Sequence, residues 1–150
     1  MTPRRSFAVA LALACSCTLG CSSSSPIIVD TPEAPTQRNL TSIGIAYLQF
    51  TMKRQQPPAG PDDLKPLLKE AGCDPEKVFV SDRDNQPLVI CWGVDIRVLS
   101  GSAKSVPVLG YEKQGLNGSR YVLTQMQGLV QLMSDKEFRA ASFPPGHTPD

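Results

Sequence analysis

Residues 38–54, RNLTSIGIAYLQFTMKR, place Leu40, Ile43, Tyr47 and Phe50 at spacings of three and four. Ala46, Leu48 and Thr51 widen that stripe, so the segment reads as one amphipathic helix with a broad apolar face. Lys53 and Arg54 suit a helix C-terminus, and Pro57-Pro58 cannot continue it. An apolar face of this width needs a partner surface, and the rest of the chain is read for what supplies it.

Downstream, GPDDLKPLLKEAG (60–72) predicts a short helix. Asp62 or Asp63 would cap it, Leu64, Leu67 and Leu68 form its apolar side, and Gly72 closes it. The turn-rich stretch DPEKVFVSDRDNQP (74–87) surrounds a short strand at 78–80. LVICWGVDIRVL (88–99) is the strongest strand signal, and Gly93 within it points to a bulge or a break into two strands. VPVLGYEK (106–113), SRYVLTQM (119–126) and QGLVQLM (127–133) read as further strands. The dipeptide Asn117-Gly118 is suited to a tight turn with positive φ. SDKEFRAA (134–141) reads as a closing helix, with Ser134 and Glu137 as a capping box. FPPGHTPD (143–150) reads as a disordered tail. The expected architecture is α+β: an N-terminal helix packed on a small antiparallel meander, the domain running from 38 to 142.

The first twenty residues differ in kind. Arg4 and Arg5 precede the apolar run FAVALALA, and small residues lead to Cys21. This is the layout of an export signal. The apolar run 7–20 is shorter than the roughly 20 residues of a spanning helix. The segment resembles a bacterial lipoprotein signal, with Thr18-Leu19-Gly20-Cys21 as the lipobox and SSSSP as the start of a tether over 21–37. Thr18 stands where leucine is usual; Cys15 and Cys17 are alternative sites, and plain secretion is the competing reading. The resemblance implies a covalent lipid at Cys21. Several acyl chains, each CH₂ contributing about 0.8 kcal/mol, would hold the protein at a membrane. Ser22 in place of aspartate implies the outer membrane as the default, with the domain in the periplasm or at the cell surface.

With Cys21 acylated, and Cys15 and Cys17 removed with the signal, Cys73 and Cys91 remain. In an oxidising compartment they form either one disulfide, closing a loop of about 19 residues and contributing roughly 3 kcal/mol, or two buried free thiols.

The residues that would carry chemistry are few. Nucleophilic catalysis wants a serine or cysteine with a positioned base; the only histidine, His147, sits in the Pro-Gly tail, where a lone histidine is ordinarily solvated. Asp82 and Asp84 in SDRDNQ offer alternate oxygen ligands for calcium. The loop lacks the glycine and distal glutamate of an EF-hand, and Arg83 and Pro87 interrupt it. Trp92, Tyr111 and Tyr121 would form either a contact patch for sugar or peptide or ordinary core. With a formal net charge of +1 and no basic stripe, nucleic acid is not an expected partner.

NLTSIGIAYLQF is similar to the helix that begins the soluble part of bacterial prepilin-like proteins. LKPLLKEAG followed by SDRDNQPLVICWG resembles the type II secretion pseudopilin layout. SRYVLTQMQGLVQLMS resembles the last hairpin of such domains, with Gln127-Gly128 where an Asp-Gly turn is common. The likeness implies a pseudopilin-type globular domain and raises the expectation of calcium near 81–87. The N-terminus departs from that family: a lipobox-like end replaces the prepilin peptidase site and membrane-spanning half-helix. The expected function is therefore a non-enzymatic, lipid-anchored envelope module that binds or scaffolds, beside a secretion or surface-assembly system. The alternative is a soluble exported module for a small ligand or calcium.

Overall fold

The first helix, α1, runs from Pro35 to Arg54, three residues longer at its start than the periodicity indicates. Pro35 sits in the first turn, where its missing N–H is no loss and its fixed φ suits the helix. The expected tether therefore ends earlier, and Thr36 is already buried. The computed structural model describes residues 34–97, 106–125 and 129–149. The expected signal peptide, most of the expected tether, and Cys15, Cys17 and Cys21 lie outside the described residues.

Helix α2, Pro61–Glu70, follows, and its apolar side buries Leu64 and Leu68. Gly60, not an aspartate, is its N-cap; Asp63 instead accepts a hydrogen bond from the Ala59 N–H at 2.7 Å. At the far end Cys73 N–H donates to Leu68 O and Gly72 N–H to Lys69 O. These are the paired bonds of a Schellman stop, so Gly72 closes the helix as its position indicates.

The sheet is a four-stranded antiparallel meander, order β1-β2-β3-β4, made by Val89–Ile90, Val108–Tyr111, Ser119–Thr124 and Val130–Ser134. The strand expected at 78–80 is a run of turns ending in a single bridge, Val80 to Pro87. The long strand expected over 88–99 contracts to β1. The Cys91 N–H still donates to Leu109 O at 2.8 Å; Gly93, at φ +74°, then breaks the strand, and Val94 and Ile96 join the cluster under α1 instead of pairing. Asn117 and Gly118, at φ +54° and +71°, make the turn between β2 and β3, as that dipeptide predicts.

A register shift in β2 between Val108 and Gly110 lets Val108 and Tyr111 lie on one face while Leu109 faces the other. Two clusters result. Leu40, Ile43, Ala46 and Tyr47 of α1 bury with Leu64 and Leu68 of α2 and with Ile90, Leu109 and Leu123 of the sheet. Val108, Tyr111 and Val122 bury with Phe138 of α3, Asp135–Arg139. Full burial of each large apolar side chain contributes about 1.5–3 kcal/mol, and both faces of β2 and β3 are covered this way.

Helix α3 starts at Ser134 with both capping-box bonds present. The expected disordered tail is a correction. Ser142 O accepts from Val108 N–H at 2.9 Å, and Phe143 meets Tyr111 and Phe138 edge-on, at 6.0 and 5.4 Å between ring centres. Aromatic edge contacts of this kind fix the segment to the second cluster.

Candidate functional site

The loop 81–87 that the sequence offers as a cation site is built around a buried carboxylate thirty residues away. Glu112, fully buried at the end of β2, accepts from Ser81 Oγ at 2.7 Å through one oxygen. Its other oxygen accepts from the Arg83 guanidinium at 2.8 Å and from the Tyr121 N–H at 2.7 Å. Ser81 Oγ also accepts from the Arg83 N–H, and Thr36 Oγ1 lies 3.3 Å away. Since the Ser81 proton is committed to Glu112, the Thr36 hydroxyl is the donor in that pair. Thr36 in turn accepts the Asp82 N–H at 2.9 Å. Arg83 stacks over the Tyr121 ring at 4.8 Å and reaches Leu116 O and Ser119. Burial of a charge is tolerable only when it is paired and its remaining valences are filled, and here they are filled on every side.

Asp84 belongs to the same hub. One oxygen accepts the Gln86 N–H, and the other accepts the N–H groups of Gln114 and Gly115 at 3.1 and 2.9 Å. Burial works to raise the carboxyl, but the three backbone donors outweigh it and hold Asp84 below the usual carboxylate range. Its oxygens therefore pin the loop to the β2–β3 hairpin. Asp82 is exposed and joins the hub through its backbone. Among the described residues no group of three or more His, Cys, Asp or Glu side chains is placed to hold a metal ion.

A depressed carboxyl gives a pH signature. Its stability contribution is present above the unfolded value, about 3.9, and is lost as pH falls through the lower folded value. Asp84→Asn is expected to destabilise by about 1–2 kcal/mol at neutral pH, from weakened charge-assisted bonds. The gap to wild type should close progressively below about pH 4, read by urea melts across pH. A gap that stays constant to strong acid would show that the charge contributes nothing.

The other candidates separate in space. Cys73 and Cys91 are free thiols, half-buried and buried, so no disulfide joins them. Burial pushes the Cys91 thiol up to about 11, which leaves it protonated and a poor nucleophile near neutral pH. His147 Nε2 meets the Trp92 carbonyl at 3.3 Å. Trp92 stacks on Tyr47, Tyr111 packs with Phe138, and Tyr121 lies under Arg83, so these aromatics serve different parts of the interior and form no common patch. Glu112 is the member of the hub with no signal in the sequence beyond its type, a glutamate ending an apolar strand. Arg83, which breaks the spacing of a calcium loop, is its partner.

Two apolar surfaces remain open. Strand β4 is one edge of the sheet, with no strand on its outer side among the described residues, and Leu132 in it and Leu129 just before it are 55% and 57% exposed. Beside it, Met133, Gln131, Glu137, Ala140 and Ala141 help line a groove of about 520 Å³ between β4 and α3. On α1, Ile45, Leu48 and Met52 are exposed, so Leu48 does not widen the core stripe as its position indicates. No described helix is long and apolar enough to cross a membrane. Compared with protein-family models, curated proteins and solved structures, the chain matches none of them.

Proposed function

We propose that this chain is a non-enzymatic, lipid-anchored protein of the bacterial cell envelope, tethered at Cys21 and binding a partner protein through the free edge of its sheet. The observation that carries the binding role is β4, whose outer side is unpaired among the described residues and whose Leu132, with Leu129 just before it, is open to solvent. Sheet edges are ordinarily blunted by lysine, proline or a bulge. The strand VQLMS has no charge and no proline, and its register with β3 is unbroken. An extended segment of a partner added there would take up the free backbone groups, with side chains seated in the groove against α3. The reserved polar chemistry supports a non-catalytic role: the Ser81 hydroxyl and the Glu112 carboxylate are occupied by one another and by Arg83.

The pseudopilin kinship belongs to this reading. A long N-terminal helix preceding an antiparallel meander supports it, and a partner in a secretion or surface-assembly system follows from it. Outer-membrane placement follows from Ser22 after the acylated cysteine.

The test is the intact mass of the mature protein extracted in detergent, paired with fractionation of Cys21→Ala. A mass matching residues 22 onward plus an acylated Cys21, with processing and acylation lost in the variant, is the expected result. An unlipidated mature chain would sink the anchor. For the binding edge, Leu132→Lys should remove site-specific crosslinks formed from position 129 while leaving the fold intact by circular dichroism. Crosslinks indifferent to Leu132→Lys would remove β4 from the role. A calcium-dependent rise in Tm that Asp82→Ala and Asp84→Ala both abolish would favour the alternative, a soluble ligand- or calcium-binding module.

A further inference from the structure

Helix α1 is apolar on two sides. Its inner face fills the larger cluster, and on its outer face Ile45, Leu48 and Met52, at positions i, i+3 and i+7, are 50%, 42% and 56% exposed. They form one line about 10 Å long. No contact within the described fold explains it. The same helix has no acidic residue, and Arg38 near its start and Lys53 and Arg54 at its end are all exposed. None of the three forms an ion pair with a described residue. Lys53 and Arg54 share a shallow groove with Asp63; around the helix Lys53 stands about 80° from Ile45, at the border of the line, and Arg54 about 180°, on the far side. An exposed apolar line flanked at both ends by unpaired cations is the pattern of a helix lying in a membrane interface, with the cationic heads reaching the phosphates.

We infer that the outer face of α1 rests on an anionic phospholipid surface, with Ile45, Leu48 and Met52 entering the headgroup boundary and Arg38 and Lys53 meeting lipid phosphates. The charge balance selects lipid over a second copy of the chain. Two copies would bring like charges together at the ends of the stripe. Three half-exposed side chains also fall far short of the roughly 800 Å² per partner of a stable protein interface. The inference rests on the anchor at Cys21 for its geometry. Thirteen residues lie between Cys21 and Pro35, a separation of at most about 50 Å when extended. A surface too weak to hold the protein by itself then orients a domain that the lipid already keeps nearby.

The test uses the unacylated mature chain from Ser22, whose described core lies wholly within 34–149, so the anchor contributes nothing to the readout. Sedimentation with vesicles rich in phosphatidylglycerol should show binding that vesicles of phosphatidylcholine do not, and raised salt should weaken it. Ile45→Ser with Met52→Ser should weaken it by about tenfold or more. Arg38→Gln and Lys53→Gln should each weaken it roughly fivefold. These positions are exposed, so circular dichroism and Tm should stay at wild-type values. Equal sedimentation with the two vesicle types, or binding unaltered by Ile45→Ser with Met52→Ser, would overturn the inference. A concentration-dependent dimer that those serines abolish would overturn it too, giving the face to a second copy. Absence of vesicle binding beside an acylated Cys21 in the intact mass would leave the anchor standing and remove only this face. Vesicle binding beside an unacylated Cys21 would do the reverse.

Discussion

Glu112→Ala is expected to cost about 3–5 kcal/mol of folding stability, the range for breaking one side of a buried ion pair. The carboxylate is fully buried, and three donors end on it: Ser81 Oγ, the Arg83 guanidinium and the Tyr121 N–H. Alanine leaves Arg83, itself mostly buried, as an uncompensated cation and orphans the other two donors. Small domains have about 5–15 kcal/mol in total, so roughly a fifth or more of the stability is at stake, and the alanine variant should express poorly. Glu112→Gln keeps the shape and one strong acceptor, and the Ser81 hydroxyl can rotate to accept from the new amide, so it should cost less than the alanine. Urea denaturation at unchanged m-value reads the difference. The pair as a whole is another matter, since desolvating both charges consumes most of what their attraction returns. Adding Arg83→Met to Glu112→Gln should therefore cost clearly less than the sum of the two single changes. Strict additivity would show that Arg83 and Glu112 act separately, and a loss within 0.5 kcal/mol for Glu112→Ala would show the hub to be dispensable.

The hub also marks where the sequence stops being legible. Helix α1 is readable because Leu40, Ile43 and Tyr47 repeat at helical spacing and Pro57-Pro58 bounds the far end. Its start is not, because Pro35 resembles one more proline of a tether until Thr36 is seen to be buried. Helix α3 is readable from local chemistry alone, Ser134 and Glu137 holding each other's backbone. Glu112 has no such local signal: Ser81 and Arg83 lie 31 and 29 residues away in sequence, and a glutamate beside a turn reads as a surface residue. The aspartates drew attention because their spacing imitates a calcium loop, yet Asp84 spends its oxygens on the backbone of the neighbouring hairpin. The outer face of α1 shows the same limit. Periodicity identifies an apolar helix, but only the placement of the sheet decides that Leu48 faces away from it.

The segment after β1 is the largest departure from strand propensity, and Tyr47 is the residue that accounts for it. LVICWGVDIRVL is rich in β-branched residues, yet past Ile90 the backbone turns so that the Tyr47 hydroxyl lies 3.2 Å from Cys91 O and 2.9 Å from Val94 O, and accepts the Val94 N–H at 3.0 Å. Burial pushes the phenol up to about 12, ahead of the opposing Val94 bond, so it stays a donor throughout the physiological range. Polar groups that a ladder would satisfy are thus satisfied by one side chain from α1, while the ring, fully buried, stacks on Trp92 at 6.2 Å. Tyr47→Ala should cost about 3–5 kcal/mol, as for other large aromatic truncations. Tyr47→Phe isolates the polar part: it keeps the ring and orphans the Val94 N–H, for a loss of about 1–3 kcal/mol. Hydrogen exchange separates the two effects. In Tyr47→Phe, Val94 should lose protection while Leu123, in the sheet, falls only by the global change in stability. Val94 protection unaltered beyond that global change would show that the turn is held by packing alone, and that strand propensity was overridden by Gly93 and the Trp92 stack without help from the hydroxyl.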